Sequence, residues 1–327
     1  MNHPRNKSDR ADILDWSDQG RIPDERLRDA LELAGVLPGA EDWRRFLDRL
    51  LLFLGVVLLA SGVIFFFAFN WQGLGRFAKF ALVEIPMVIV LAGVWRLGVD
   101  RIAGKATILF VSLLVGVLLA LVGQTYQTGA DTFELFATWA VAILPWALVA
   151  RFPALWIVWL ALVNIAASLY YFTFGRFWGM MLAPDAVLWL LFGLNTAALV
   201  VWELLAVGGL TWLRERWSVR IVATASGGLI AALALQDIFD WRSSSHWGVP
   251  LWLAWIVAAY FAYRHWIKDV YVLAVGVLSV IVIITASVAK GIGSEDAGVF
   301  LFIGLLIIGL SAAGGYWLKQ VATEEDS

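Results

Sequence analysis

The sequence predicts an all-α integral membrane bundle of about ten transmembrane helices, with both termini on the cytoplasmic side, and three observations carry that prediction. The first is composition: 61% of the 327 residues are hydrophobic types and only 15% are charged, against about 45–50% and 25% in an ordinary soluble domain. The second is segregation of charge, because the first 49 residues alone hold nine Lys/Arg and eleven Asp/Glu. The third is a series of apolar runs separated by polar or Gly/Pro breaks, each near the 20 or so helical residues that cross about 30 Å of hydrocarbon. Hydrophobic residues occur all round these runs with no period of two, and an open sheet would leave backbone groups unpaired in lipid, so the runs are helices. This composition excludes a soluble enzyme. A net charge of −2 without a basic cluster gives no footing for nucleic acid. The lack of cysteine excludes a disulfide framework, a thiolate metal site and a Cys nucleophile.

The chain reads as a cytoplasmic amphipathic head over 1–49, a ten-helix transmembrane domain over 50–318 and an acidic cytoplasmic tail over 319–327. Within the head, residues 11–49 predict two short helices. Leu27, Ala30, Leu31 and Ala34 repeat at i, i+3, i+4 and i+7 after Pro23 and Asp24, with Gly35 as a stop. Trp43, Phe46, Leu47 and Leu50 repeat the spacing beside Arg44, Arg45 and Arg49 and run directly into the first span. This head is either a small docking module or a topology anchor, with Trp43 at the interface and the arginines on anionic headgroups.

The ten spans lie near 50–69, 77–97, 106–123, 133–150, 153–174, 186–206, 219–236, 248–263, 270–289 and 297–318, the eighth being the shortest. With the N-terminus inside, cytoplasmic segments hold 19 Lys/Arg and the outer segments five, the direction of the positive-inside rule. The first apolar run begins too deep for a cleavable signal peptide, so it is expected to act as an uncleaved anchor.

Glu84 is the most conspicuous intramembrane residue, about 10 Å inside the outer end of the second span. Pro86 frees the carbonyl of Leu82 two positions away. Together they suggest a proton or cation site; the alternative is that Glu84 pairs with a basic side chain such as Lys79 or Arg76, or stays protonated and hydrogen-bonded. The reading groups Glu84 with Gln124, Tyr126 and Asp131, at the end of the third span, in a tentative outer-side polar pocket. Asn164 and Asn195, near mid-membrane in the fifth and sixth spans, are expected to pair structurally across antiparallel neighbours. Glu203 lies near a helix end and is expected to reach the interface. Ala223, Gly227 and Ala231, with Thr224, Gly228 and Ala232 beside them, give the seventh span small-residue packing faces. Ser226 has the local string of an intramembrane protease nucleophile, but His246 and His265 fall in loops and His3 in the tail, so no base is within reach. The outer loops carry Asn70-Trp71-Gln72, Trp178, Trp241 and Trp247, the composition of an interfacial belt.

Three local patterns, Trp16-x-x-x-Gly20-x-Ile22, Asn70-Trp71 after the first span and Gly123-Gln124-x-Tyr126 before Asp131, resemble a bacterial family of predicted multi-pass membrane proteins, domain of unknown function 2157. The resemblance covers roughly residues 10 to 150. It implies a bacterial cytoplasmic-membrane protein and carries no activity, cofactor or catalytic residue. The expectation for function is therefore a non-catalytic envelope or partner-binding protein of the inner membrane, not an enzyme, with no cofactor or metal. It would associate with the lipid bilayer, not nucleic acid, and bind a protein partner through residues 11–49. The alternative is a small-solute or ion transporter using the pocket near Glu84.

Overall fold

Proline and glycine punctuation divides the head into helices before the apolar spans begin. A computed structural model describes residues 5–70, 73, 75–178, 186–239, 246–293 and 297–326. Among them the chain forms α1 (Arg5–Asp18), α2 (Asp24–Leu33), α3 (Ala40–Asn70), α4 (Arg76–Leu97), α5 (Ile102–Tyr126) and α6 (Thr132–Ala150). It continues with α7 (Pro153–Trp178), α8 (Ala186–Val207), α9 (Arg216–Phe239), α10 (Gly248–Phe261), α11 (Val270–Ile292) and α12 (Ala297–Asp326). A 3₁₀ turn, Thr211–Arg214, precedes α9, and a π turn, Ala262–Trp266, prolongs α10. No strand occurs among the described residues.

Nine of these helices, α3–α9, α11 and α12, are long and apolar enough to cross a membrane. The tenth expected span is α10, whose 14 residues are short of the usual length until the π turn extends it. At 31 and 30 residues, α3 and α12 are about 45 Å long, well beyond the hydrocarbon thickness. The expected boundaries at 49/50 and 318/319 therefore fall inside continuous helices, because good helix formers carry the backbone past the apolar run.

The head contains one helix more than the periodicity predicts: α1 has no amphipathic stripe, and among its described side chains Ile13 is the one that is buried. Its end shows what the Trp16-Gly20-Ile22 pattern does. Gly20 has φ +71°, its N–H donates to Ser17 O, and Arg21 N–H donates to Trp16 O at 2.9 Å, a Schellman cap. Fifteen residues on, Gly35 has φ +71°, its N–H donates to Glu32 O, and Val36 N–H donates to Leu31 O at 2.9 Å. Ile22-Pro23 and Leu37-Pro38 follow the two caps. The head is thus a tandem of identical helix–glycine–apolar–proline turns.

Beyond the head, α5 packs on α3, α4 and α6; α7 joins α6 to α8; α9 packs on α8, α10 and α11; and α12 leans mainly on α11, with Trp317 against Tyr260 of α10 and Glu324 paired with Arg264 of the π turn. The first half is held by apolar contact, with Val83, Leu114, Ile143 and Leu155 fully buried. In the second half the Ala223–Gly227–Ala231 face of α9 admits a tryptophan. The Trp255 ring sits where a Cβ on Gly227 would come within 2.8 Å of it. The other expected stripe, Thr224, Gly228 and Ala232, is exposed instead. Exposed leucines and phenylalanines cover α3 and α12, a surface that fits hydrocarbon and not water.

Candidate functional site

Four helices of the second half meet in a charged cluster where α8 and α10 finish and α9 and α11 start. Glu203 lies about one turn before the end of α8; the 3₁₀ turn then brings the chain back so that Arg216 opens α9. Arg216 Nη1 donates to Glu203 Oε1 at 3.1 Å and Oε2 at 3.2 Å, and its Nε donates to Asp269 Oδ2 at 2.9 Å. One turn along the same face, Arg220 Nε donates to both Asp269 oxygens at 3.2 Å. The π turn widens the end of α10 and carries Tyr263, whose hydroxyl donates to Glu203 Oε1 at 2.9 Å. Lys268, at φ +52°, turns the chain into Asp269, which also caps α11 by accepting Tyr271 N–H at 3.1 Å.

Two carboxylates and two guanidiniums make the cluster neutral. The Asp269 side chain is 1% exposed, against 42% for Arg220. Burial by itself would raise the Asp269 carboxyl, but hydrogen bonds from Arg216 and Arg220, with their charges, outweigh it and hold the carboxyl below its usual range. Arg216 Nη2 is buried with no hydrogen-bond partner among the described residues. Chemically this is a clamp on four helix ends. An apolar groove of about 580 Å³ runs beside it between α8 and α10, lined by Leu199, Leu204, Val207, Trp255 and Trp266, with Glu203 and Tyr263 at its polar end. The combination of a π turn, a left-handed lysine and a groove is the kind of local irregularity that concentrates at working sites.

The outer-side pocket is only partly assembled. Gln124 and Asp131 line a groove of about 700 Å³ between the end of α5 and the start of α6, together with Thr128, Thr132 and Glu134. Tyr126 is not among its lining residues and packs on Phe80 of α4, ring centroids 6.2 Å apart. Glu84 is exposed on the outside of α4 and also lies off the groove. Of the four residues grouped from the sequence, Gln124 and Asp131 share this groove. Val83 takes the buried position against α5, and the next residue points about 100° away on a helix with 3.6 residues per turn. Lys79, weighed as a partner for Glu84, is buried.

At mid-depth, Asn195 Nδ2 donates to Asn164 Oδ1 at 2.6 Å, and Asn164 Nδ2 returns a longer bond of 3.4 Å. Each amide also donates to the carbonyl four residues back in its own helix, Leu160 and Leu191. Ser226 Oγ bonds Thr196 Oγ1 at 2.7 Å and accepts Trp255 Nε1–H at 3.1 Å, a helix-to-helix link. Trp71, Gln72 and Trp241 lie outside the described residues, as do the side chains of Asn70 and Trp178.

Sequence reasoning missed the charged cluster, placing Glu203 at the interface when its side chain is 12% exposed and paired. The available signal was charge at three helix ends that a neutral network could join. It also missed the 15-residue spacing of the Gly-x-(Ile/Leu)-Pro turns.

Residues 14–156 match the family model DUF2157, predicted membrane protein. No curated protein and no solved structure matches the chain. The DUF2157 region spans both head caps and α3–α6 and stops in the first turn of α7. Trp16, Gly20 and Ile22 therefore mark a helix cap within DUF2157, and the clamp at Glu203, Arg216 and Asp269 lies outside it.

Proposed function

We propose that this multi-pass membrane protein is non-catalytic and works by binding a protein partner through its N-terminal helical head, which lies on the cytoplasmic side of a bacterial inner membrane. The supporting observation is the tandem-capped head itself. Its turns are fixed by two Schellman motifs, yet it leaves Leu14, Trp16 and Leu33 exposed, Leu33 at 90%. Ordering a polar segment this short and leaving its large apolar side chains uncovered makes energetic sense when something else covers them. The side assignment rests on the 19 to five distribution of Lys/Arg. A photo-crosslinking residue at Leu33 in cells should give a discrete protein adduct, and one at Arg28, whose side chain is 82% exposed on the charged face, should not. Adducts to lipid alone would overturn the partner reading in favour of a surface anchor.

A second reading keeps a specific observation of its own. The α5–α6 groove carries two carboxylates, Asp131 and Glu134, beside Gln124, Thr128 and Thr132, donors and acceptors suited to a small cationic or hydroxylic solute. A ligand that prefers the folded state would raise the melting temperature of the purified protein. Loss of that response in Asp131→Asn would support transport or sensing of such a solute.

A further inference from the structure

We infer that the cleft between the start of α3 and the start of α5 is a binding site for the phosphate headgroup of an anionic phospholipid. The cleft, about 250 Å³, is lined by Arg45, Asp48, Arg49 and Leu52 from α3 and by Ile102 from α5. Arg45 shares its guanidinium with Glu41 at 2.8 Å and Asp42 at 3.9 Å, both on the exposed surface, where such pairs hold little energy. Arg49 makes no ion pair among the described residues. Arg101, the N-cap of α5, adjoins Ile102 and makes no side-chain cap bond.

Packing one turn along α3 holds the helices that form the cleft. Phe53, one turn beyond Arg49, stacks on Phe152 with centroids 5.6 Å apart, and the Lys105 ammonium lies 5.8 Å from the Phe152 ring centre. These contacts tie α3 to the start of α7 and to α5 next to the cleft, whose own charged lining is Arg45, Asp48 and Arg49. The apolar run of α3 begins near residue 50, so Arg45 and Arg49 sit where hydrocarbon gives way to headgroups. Leu52 and Ile102, partly exposed in the same cleft, offer an apolar seat for the glycerol and the first acyl carbons. Basic pockets between spans at the membrane surface have the chemistry for lipid phosphate. The site takes Arg45 and Arg49 from the last turns of the head and nothing from α1 or α2, so crosslinking at Leu33 and lipid titration at this cleft can fail separately.

The test uses the full chain in neutral maltoside micelles, titrated separately with dioleoylphosphatidylglycerol, dioleoylphosphatidylcholine and sodium phosphate while thermal unfolding is followed. Phosphatidylglycerol should raise the melting temperature, and the other two should not. Arg45→Gln/Arg49→Gln should raise the half-saturating phosphatidylglycerol fraction about 30-fold, the equivalent of about 1 kcal/mol per removed arginine. Arg49→Gln alone should raise it about 5-fold on the same scale. Arg214→Gln, exposed in the other half, should leave it unchanged and serves as the folded control. An equal response to phosphatidylcholine, an equal response to free phosphate, or an unshifted titration in folded Arg49→Gln would overturn the assignment.

Discussion

Replacing Asp269 with Asn tests whether the four-helix clamp holds the second half together. Asp269 takes three donors, Arg216 Nε, Arg220 Nε and the Tyr271 N–H. Removing one partner of a buried ion pair costs about 3–5 kcal/mol when the other charge is stranded. Here neither arginine is wholly stranded. Arg216 keeps Glu203, and Arg220, 42% exposed, can turn to water, which brings its share down to the 0–1 kcal/mol or so of an exposed pair. The expected loss is about 2 kcal/mol for Asp269→Asn, which retains an oxygen for the helix cap. It is about 3 kcal/mol for Asp269→Ala, which forfeits the cap as well. Reversible unfolding in lipid-doped micelles, followed by tryptophan fluorescence, measures both. The pH dependence supplies a second check with a definite sign. A carboxyl held below its ordinary 3.8 in the folded state adds stability that is complete above that value and is lost as pH falls through the lowered folded value. Wild type should lose that increment in acid, and Asp269→Asn should not. A folded Asp269→Asn within about 0.5 kcal/mol of wild type, the size expected of an ordinary surface change, would refute the clamp argument.

Three further outcomes follow from the geometry. A double-mutant cycle of Asn164→Leu and Asn195→Leu should give a coupling of about 0.6–1.5 kcal/mol in lipid, and strict additivity would remove the amide pair as a packing element. Gly35→Ala forces a side chain onto a backbone at φ +71° and should cost about 1–2 kcal/mol of local stability. That cost should appear as faster hydrogen exchange at the ends of α2, with unchanged exchange there speaking against the cap. Reporter fusions within 97–105 and after residue 327 should read cytoplasm, and fusions within 124–132 the other side; the reverse pattern would show that the arginine-rich end faces outward.

The apolar runs determined the helical class and nearly every span, because a hydrocarbon solvent leaves the backbone one way to satisfy its own hydrogen bonds. Sequence spacing also found Asn164 and Asn195, since polar residues at matching depth in successive spans have few other partners. It did not locate α1, whose polar residues have no helical stripe, nor assign the Trp16-Gly20-Ile22 pattern to a cap, because a positive φ is a property of the backbone path. Glu84 stood out by type and depth, but rotation about the helix axis decides what a side chain faces. Val83 claimed the inward position on α4. The clamp was the least legible element: Glu203, Arg216, Tyr263 and Asp269 lie up to 66 residues apart, and each alone reads as an ordinary interfacial residue. Only the packing of α8, α10 and α11 around α9 brings their opposite charges within hydrogen-bond reach, where low dielectric makes pairing necessary.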